Sequence, residues 1–263
     1  MSKYRSAELI QKKRKDFWVR ISLFLVAFVL TALCFSELSK FHFVNIKKIN
    51  IEGNKIIETS VISDIASKHL DGNFLWFLFS KRNAFLYKKN EIIKDSLNTH
   101  PRIKNINLNL KNFSVLNIKI EEREPFAFWC EKEEGDSLVE NCFVVDKDGF
   151  IFDKSRGEEL FKYYSESDNK KIGLSVFDSE KFRDINSFIN FIKGLNVFPY
   201  KFVSYNNGSY EIYFENGRKI IFGKDQTSAE LINNFQSVLN MEGFDLTQID
   251  YVDLRFGNKV FYK

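Results

Sequence analysis

Side chains able to do chemistry are few and scattered in this 263-residue chain. The three histidines, His42, His69 and His100, lie far apart, and none sits in an H-E-x-x-H run. No G-x-S-x-G elbow or phosphate-cradling glycine loop occurs. The adjacent carboxylates Glu121-Glu122 and Glu133-Glu134 would point to opposite faces of a strand, which makes poor acid–base pairs. They read as solvated, and Glu122-Arg123-Glu124 as a charged strand end. The expectation is a protein that is not an enzyme and holds neither metal nor cofactor.

Of the three cysteines, Cys34 lies in a long apolar run and two remain. Cys130 and Cys142 flank the polar stretch EKEEGDSLVEN, and each adjoins an apolar run. In an oxidising compartment a bridge there would close a hairpin; two free thiols are the alternative. No histidine is near, and two cysteines alone do not complete a zinc site. The last residues are the other point of interest. Val252, Leu254 and Phe256 alternate with Tyr251, Asp253 and Arg255. By pattern alone Phe256 is core and Arg255 solvated; the other reading exposes both at a sheet end, as binding residues.

The element that positions everything else is the apolar run Ile21–Phe35. With Phe17, Trp18 and Val19 it approaches the ~20 residues that a bilayer core demands, and only a helix satisfies its backbone there. Up to Arg20 the head carries seven basic residues against two acidic ones. By the positive-inside rule that head is cytoplasmic and the chain beyond about Ser39 is exported. A cleaved signal peptide lacks a small-x-small site, and a lipoprotein signal lacks small residues before Cys34. A buried soluble helix leaves the basic head unexplained. The chain is thus expected as a basic cytoplasmic tail (1–17), a membrane helix (18–38) and an exported remainder. Net charge is +4, and the head accounts for all of it, so the remainder is nearly neutral and does not read as a nucleic-acid binder, which would show a basic patch or stripe.

Beyond the anchor, 43–52 reads as a strand with a change of phase at Lys47-Lys48, turning at Gly53-Asn54. Ile62, Ile65, Ala66 and Leu70 share a helix face, with Ser60 as cap and Gly72 as stop. The run FLWFLF (74–79) reads as a connection buried under the domain, or else as an apolar surface for membrane or partner. A second helix (88–99, capped by Asn90) and two alternating strands around 106–110 and 116–120 follow, with Asn112 in their turn. The order strand, helix, helix, strand, strand predicts a sheet with one face covered by two helices.

After Glu124 the pattern is mainly β. Strands are expected at 126–130, 142–146 and 150–152, and as a meander at 201–206, 209–215 and 218–222. Two amphipathic helices run through Phe182–Leu195 and Leu231–Leu239, and strands at 249–256 and 259–262 close the chain. Residues 156–171 carry no readable pattern. The fold class is α+β: an N-terminal transmembrane helix, a β-α-α-β-β domain, then a mainly antiparallel β domain with helices.

The basic head, the single span and Val44–Asn54 (VNIKKINIEGN) resemble the FtsQ/DivIB family of cell-division proteins. Further matches are His100–Ile103, Ile118–Pro125, Phe126–Trp129, Asp146–Phe152, Glu215–Gly217 with Gly223, and Tyr251–Phe256. The resemblance covers nearly the whole chain. It implies a POTRA domain over 43–123 and the family's C-terminal β domain over 124–263. It implies a non-enzymatic scaffold at the septum, single-pass in the cytoplasmic membrane. That scaffold binds FtsB and FtsL and, through them, the septal peptidoglycan synthase. In the family FtsB adds a strand beside the end of the β domain. The matching positions are Arg255 and Phe256, then Val260 and Tyr262 across the shorter turn at Gly257-Asn258. An open edge suits this, since a visiting strand satisfies its unpaired backbone groups. Arg255 would hold a carboxylate and Phe256 would anchor the interface. The alternative is a POTRA-containing envelope transport or assembly receptor, although such proteins normally carry a barrel or repeated POTRA units.

Overall fold

A computed structural model describes residues 7–75, 78–131, 142–155, 159–166, 170–246, 248–257 and 259–263. The chain divides into two compact units, one running to Thr99 with Asn105–Glu122, the other His100–Lys104 with Arg123–Lys263.

The first unit starts with α1, Ala7–Ser39. No proline or glycine interrupts it, and Thr31 Oγ1 donates back to the carbonyl of Phe28 at 2.8 Å. Large apolar side chains from Phe17 to Phe35 stand exposed around the whole circumference, the pattern of a helix solvated by lipid. From Gln11 to Ser39 it is long and apolar enough to cross a membrane.

Next come β1 (Lys48–Glu52), α2 (Thr59–Leu70), the short hairpin β2 (Asn73–Phe74) and β3 (Phe79–Ser80), α3 (Lys89–Thr99), β4 (Ile103–Lys111) and β5 (Val115–Glu122). The sheet order is β1-β5-β4, with β1 parallel to β5 from Lys48↔Val115 to Glu52↔Lys119. Alternate residues of the long strands are buried (Ile106, Leu108; Leu116, Ile118, Ile120), as are Ile62, Ala66 and Leu70 of α2 and Ile92 of α3.

The first strand is shorter than its apolar pattern suggests. Residues 43–47 leave the sheet because they bond elsewhere: Ile46 N donates to Arg82 O and Ala84 N to Val44 O, both at 2.8 Å. The helix caps differ as well. Glu58 precedes α2 without a side-chain cap, Ser60 Oγ donates instead to Glu58 Oε2, and Asn90 lies inside the first turn of α3. The described residues of the run 74–79 are not buried under the domain. Phe74 pairs with Phe79 across the hairpin, and Leu75 is 69% exposed; Trp76 and Phe77 lie outside the described residues.

Gly53 shows why this turn needs glycine. Its φ is +88°, and a Cβ there would stand 2.2 Å from the carbonyl oxygen of Ile120. Beyond it the Glu122 carboxylate accepts from the backbone N–H groups of Lys55, Ile56 and Ile57 at 2.7–3.0 Å. Glu122 is therefore a turn-holding acid rather than only a solvated strand end.

The second unit is built on β6 (Ala127–Glu131), β7 (Cys142–Val145), β8 (Ile151–Lys154), β9 (Lys162–Ser165), α4 (Ser179–Gly194), β10 (Pro199–Ser204), β11 (Ser209–Phe214), β12 (Lys219–Gly223), α5 (Ser228–Leu239), β13 (Tyr251–Phe256) and β14 (Lys259–Tyr262). These strands form one sheet in the order β14-β13-β12-β11-β10-β9-β6-β7-β8. Hairpin neighbours are antiparallel; β9–β10, β6–β9 and β12–β13 are parallel. A parallel pair needs a crossover, and α4 and α5 provide it between β9 and β10 and between β12 and β13. Phe182, Ile185, Phe188 and Ile192 of α4, with Leu231, Phe235 and Val238 of α5, pack on one sheet face over Tyr163, Phe202, Phe222 and Val252. On β6–β8 a second cluster gathers Phe128, Cys130, Val144 and Phe152.

Two arginines close over the rings beside that cluster. Arg102 pairs with Asp153 and lies over Phe152; Arg123 pairs with Asp146 and lies over Phe150, 3.9 Å from the ring centre. Asp146 is 3% exposed, and its other oxygen accepts from the N–H groups of Asp148 and Phe150, which shapes the turn at Gly149.

Candidate partner-binding edge

The two borders of the nine-stranded sheet differ. At β8 the chain folds back: Ile151 N donates to Leu174 O, Gly173 N to Ile151 O and Val176 N to Gly149 O. At the other border, β14 has β13 as its one strand neighbour among the described residues. Lys263 and Tyr251 exchange backbone hydrogen bonds, Lys263 N to Tyr251 O at 3.3 Å and the reverse at 3.4 Å. Opposed pairs in an antiparallel ladder alternate between bonded and non-bonded. Phe261 therefore turns its backbone toward Asp253, while Val260 and Tyr262 turn theirs outward.

The sequence folds this way because β13 is anchored from beneath. Val252 and Leu254 are fully buried in the helix-side core. Gln226 bridges the strand ends, accepting from Gly223 N at 2.7 Å and donating to Leu254 O at 2.8 Å. The capping box of Thr227 and Glu230 then starts α5.

Strict alternation would place Phe256 with Val252 and Leu254. It does not sit there: the register slips between Asp253 and Phe256, and Phe256 is 54% exposed. Its ring meets Phe261 edge-on at 5.1 Å. Phe261, half exposed, is an edge residue that the pattern did not single out. Val260 packs partly on the helix-side core, and Tyr262 meets Phe244 edge-on at 5.3 Å. The four expected positions thus flank one border: Arg255 and Phe256 beside Phe261, and Val260 and Tyr262 on the helix side.

A polar network lies along the other sheet face. Register places Glu211 opposite Ile221 and Ile221 opposite Asp253, in one row. Glu211 accepts from Lys219 Nζ at 2.9 Å, Tyr205 OH at 3.0 Å and Tyr213 OH. Burial pushes the Glu211 carboxyl up, but these three donors outweigh it and hold the group below the usual glutamate range. Burial and the neighbouring carboxylate raise the Tyr213 phenol. Hydrogen bonding to Asp253 raises the Arg255 guanidinium further.

Cys130 and Cys142 stand directly opposite each other on β6 and β7 and are joined by a disulfide. The polar stretch between them lies outside the described residues from 132 to 141. His69 packs between α2 and α3, with Nε2 2.9 Å from Asp95 Oδ2. Among the described residues no three His, Cys, Asp or Glu side chains gather as metal ligands.

Fold and edge define a class: among the described residues, a protein with one N-terminal helix long and apolar enough to cross a membrane, two compact units and a sheet whose last strand has a single strand neighbour. No family model matches the chain. Named relatives do. Cell division protein DivIB of Clostridium acetobutylicum is 30% identical over 240 residues, 89% of this chain and 87% of its own. Cell division protein DivIB of Clostridium botulinum strain Hall is 27% identical over 264 residues, 96% of this chain and 94% of its own. The chain belongs to the FtsQ/DivIB family of cell-division proteins.

Proposed function

We propose that this chain is a non-enzymatic scaffold of the division septum. It is held by α1 in the cytoplasmic membrane, with the basic head in the cytoplasm and both units outside. The β-α-α-β-β order supports reading residues 43–123 as a POTRA domain, followed by the family's β domain at 124–263. The β domain receives a strand of FtsB at β14 and, with FtsL, communicates with the septal peptidoglycan synthase.

The observation that carries this reading is the border itself. Val260 and Tyr262 direct backbone groups away from the sheet, and half-exposed Phe256 and Phe261 stand beside them. Unpaired strand groups with flanking aromatic anchors are what strand addition uses.

Two substitutions test it with purified full-length protein and FtsB. Val260→Pro removes one outward N–H while leaving the ladder to β13, which an edge strand tolerates. Phe256→Ala removes the ring. Each is expected to lower FtsB capture about tenfold or more while the thermal transition stays in place. Unchanged capture by both would retire this border as the docking site.

A further inference from the structure

The end of α1 does not hang free. Asn83 Nδ2 donates to the carbonyl of Ser39 at 3.0 Å, and Asn45 Nδ2 donates to those of Ser39 and Phe41 at 3.1 and 2.8 Å. Ser36 Oγ donates to the carbonyl of Leu78. The last helical carbonyls are thus satisfied by protein groups, and Ser36 and Ser39 are buried. Internal satisfaction of this kind is what a helix end in an apolar medium requires.

These bonds hold the 78–86 segment against the helix. Between them opens a groove of about 810 Å³. Phe28 and Phe35 of α1 form one wall, and Phe79, Phe85 and Leu86 the other. Phe43 and Phe85 are 75% and 72% exposed, more than most aromatic residues of the exported chain. Water would meet a continuous apolar surface here, larger than the scattered exposed residues normal for a soluble face.

Position along the helix identifies the occupant. Trp18 to Ser39 spans about 33 Å at 1.5 Å per residue, close to the ~30 Å hydrocarbon core. With Trp18 at the cytoplasmic interface, the groove begins inside the opposite leaflet, and Phe41, Phe43 and Phe85 fall at its boundary, where aromatic rings concentrate. Chain neighbours of this collar, Lys40, Asn45 and Lys47, line the next concavity, a composition suited to headgroups.

We propose that this aromatic collar is immersed in the outer leaflet, with lipid acyl chains filling the groove beside α1, so that the first unit is seated in the membrane and not merely tethered to it. The proposal rests on the reading of α1 as a membrane span, and the test separates the two.

Full-length protein with Cys34→Ala, its disulfide intact, receives one cysteine at Phe43, Phe85, Leu25 or Lys119. Each carries an environment-sensitive fluorophore, and the unsubstituted parent reports background labelling. In nanodiscs, ordinary phosphatidylcholine is exchanged for lipid bearing a nitroxide on the acyl chain. Labels at 43, 85 and 25 are expected to emit in the blue and to lose most of their emission, while the label at 119 does neither. Quenching at 25 with water-like, unquenched emission at both 43 and 85 would overturn the collar and leave the span standing. Blue but unquenched emission at 43 and 85 would mean that protein covers the groove, and would also overturn it. No quenching at 25 would remove the span and the proposal together.

Discussion

Arg255 closes its guanidinium on the carboxylate of Asp253, two positions earlier on the same strand, with Nε 2.9 Å from Oδ1 and Nη2 2.6 Å from Oδ2. Residues two apart on a strand share a face, so the pair forms without help from any other element. Asp253 is 5% exposed and also accepts from the Arg255 backbone N–H. The fork expected to greet a partner's carboxylate is thus already engaged within the chain. Arg255→Ala should cost about 1–3 kcal/mol by stripping donors from a buried carboxylate. Arg255→Glu should cost more, since it sets two carboxylates side by side. Urea unfolding of both variants checks this. Equal stability in the two would mean that Asp253 does not depend on its neighbour, and lost FtsB capture by Arg255→Glu alone would then report binding.

Gly53→Ala combines a left-handed φ with a Cβ driven onto the Ile120 carbonyl. Expected destabilisation of the first unit exceeds ~2 kcal/mol, beyond the conformational penalty alone. Hydrogen exchange should show faster opening of β1 and β5 while β10–β12 keep their protection. Wild-type exchange in β1 would contradict the close approach.

The disulfide spans a sequence separation of 12 residues. In the chain-entropy picture a loop of this size is worth about 3 kcal/mol. Protein isolated with its thiols trapped at lysis should resist alkylation at Cys130 and Cys142 until reduced, and mass spectrometry reads this directly. Reduction should then lower the melting temperature. Both thiols alkylated without reductant would remove the bridge.

Glu211 predicts an acid limit. Its folded pKa lies below the ordinary carboxylate value because three donors outweigh burial. A depressed acid adds stability that is fully present above its unfolded pKa, about 4.3, and is lost as pH falls through the folded value. Melting temperature should therefore decline below about pH 4. Glu211→Gln should be less stable at neutral pH yet decline less steeply in acid. Parallel curves for the two proteins would place the acid sensitivity elsewhere.

Much of the architecture was legible because it is local. Ile62, Ala66 and Leu70, or Phe182, Ile185, Phe188 and Ile192, repeat at helical spacing and are buried as that spacing demands. Strand β9 was not legible. Its central signal is one buried tyrosine, Tyr163, in a polar stretch, and the strand is fixed by parallel neighbours distant in sequence. The pairs Arg102–Asp153 and Arg123–Asp146 join residues 51 and 23 apart, and no periodicity announces them. Alternation alone would have put Phe256 in the core, because it does not show the single register slip that moves this residue off the core face, and Phe261 was passed over because a four-residue strand shows too little alternation to assign a side.

Strand β14 is four residues long. At about 3.3 Å per residue that is roughly 13 Å of edge, with two residues facing out. A visiting chain finds a handful of backbone bonds there, each worth about 1 kcal/mol net. Such a grip, unaided, is of millimolar order. If a partner strand docks here as proposed, that grip would suffice between molecules whose roots already share one sheet of lipid, where confinement raises the effective concentration of each to the other. A soluble peptide copied from such a partner would then scarcely hold, and the rings beside the edge would decide which of the neighbours in that crowded plane is kept.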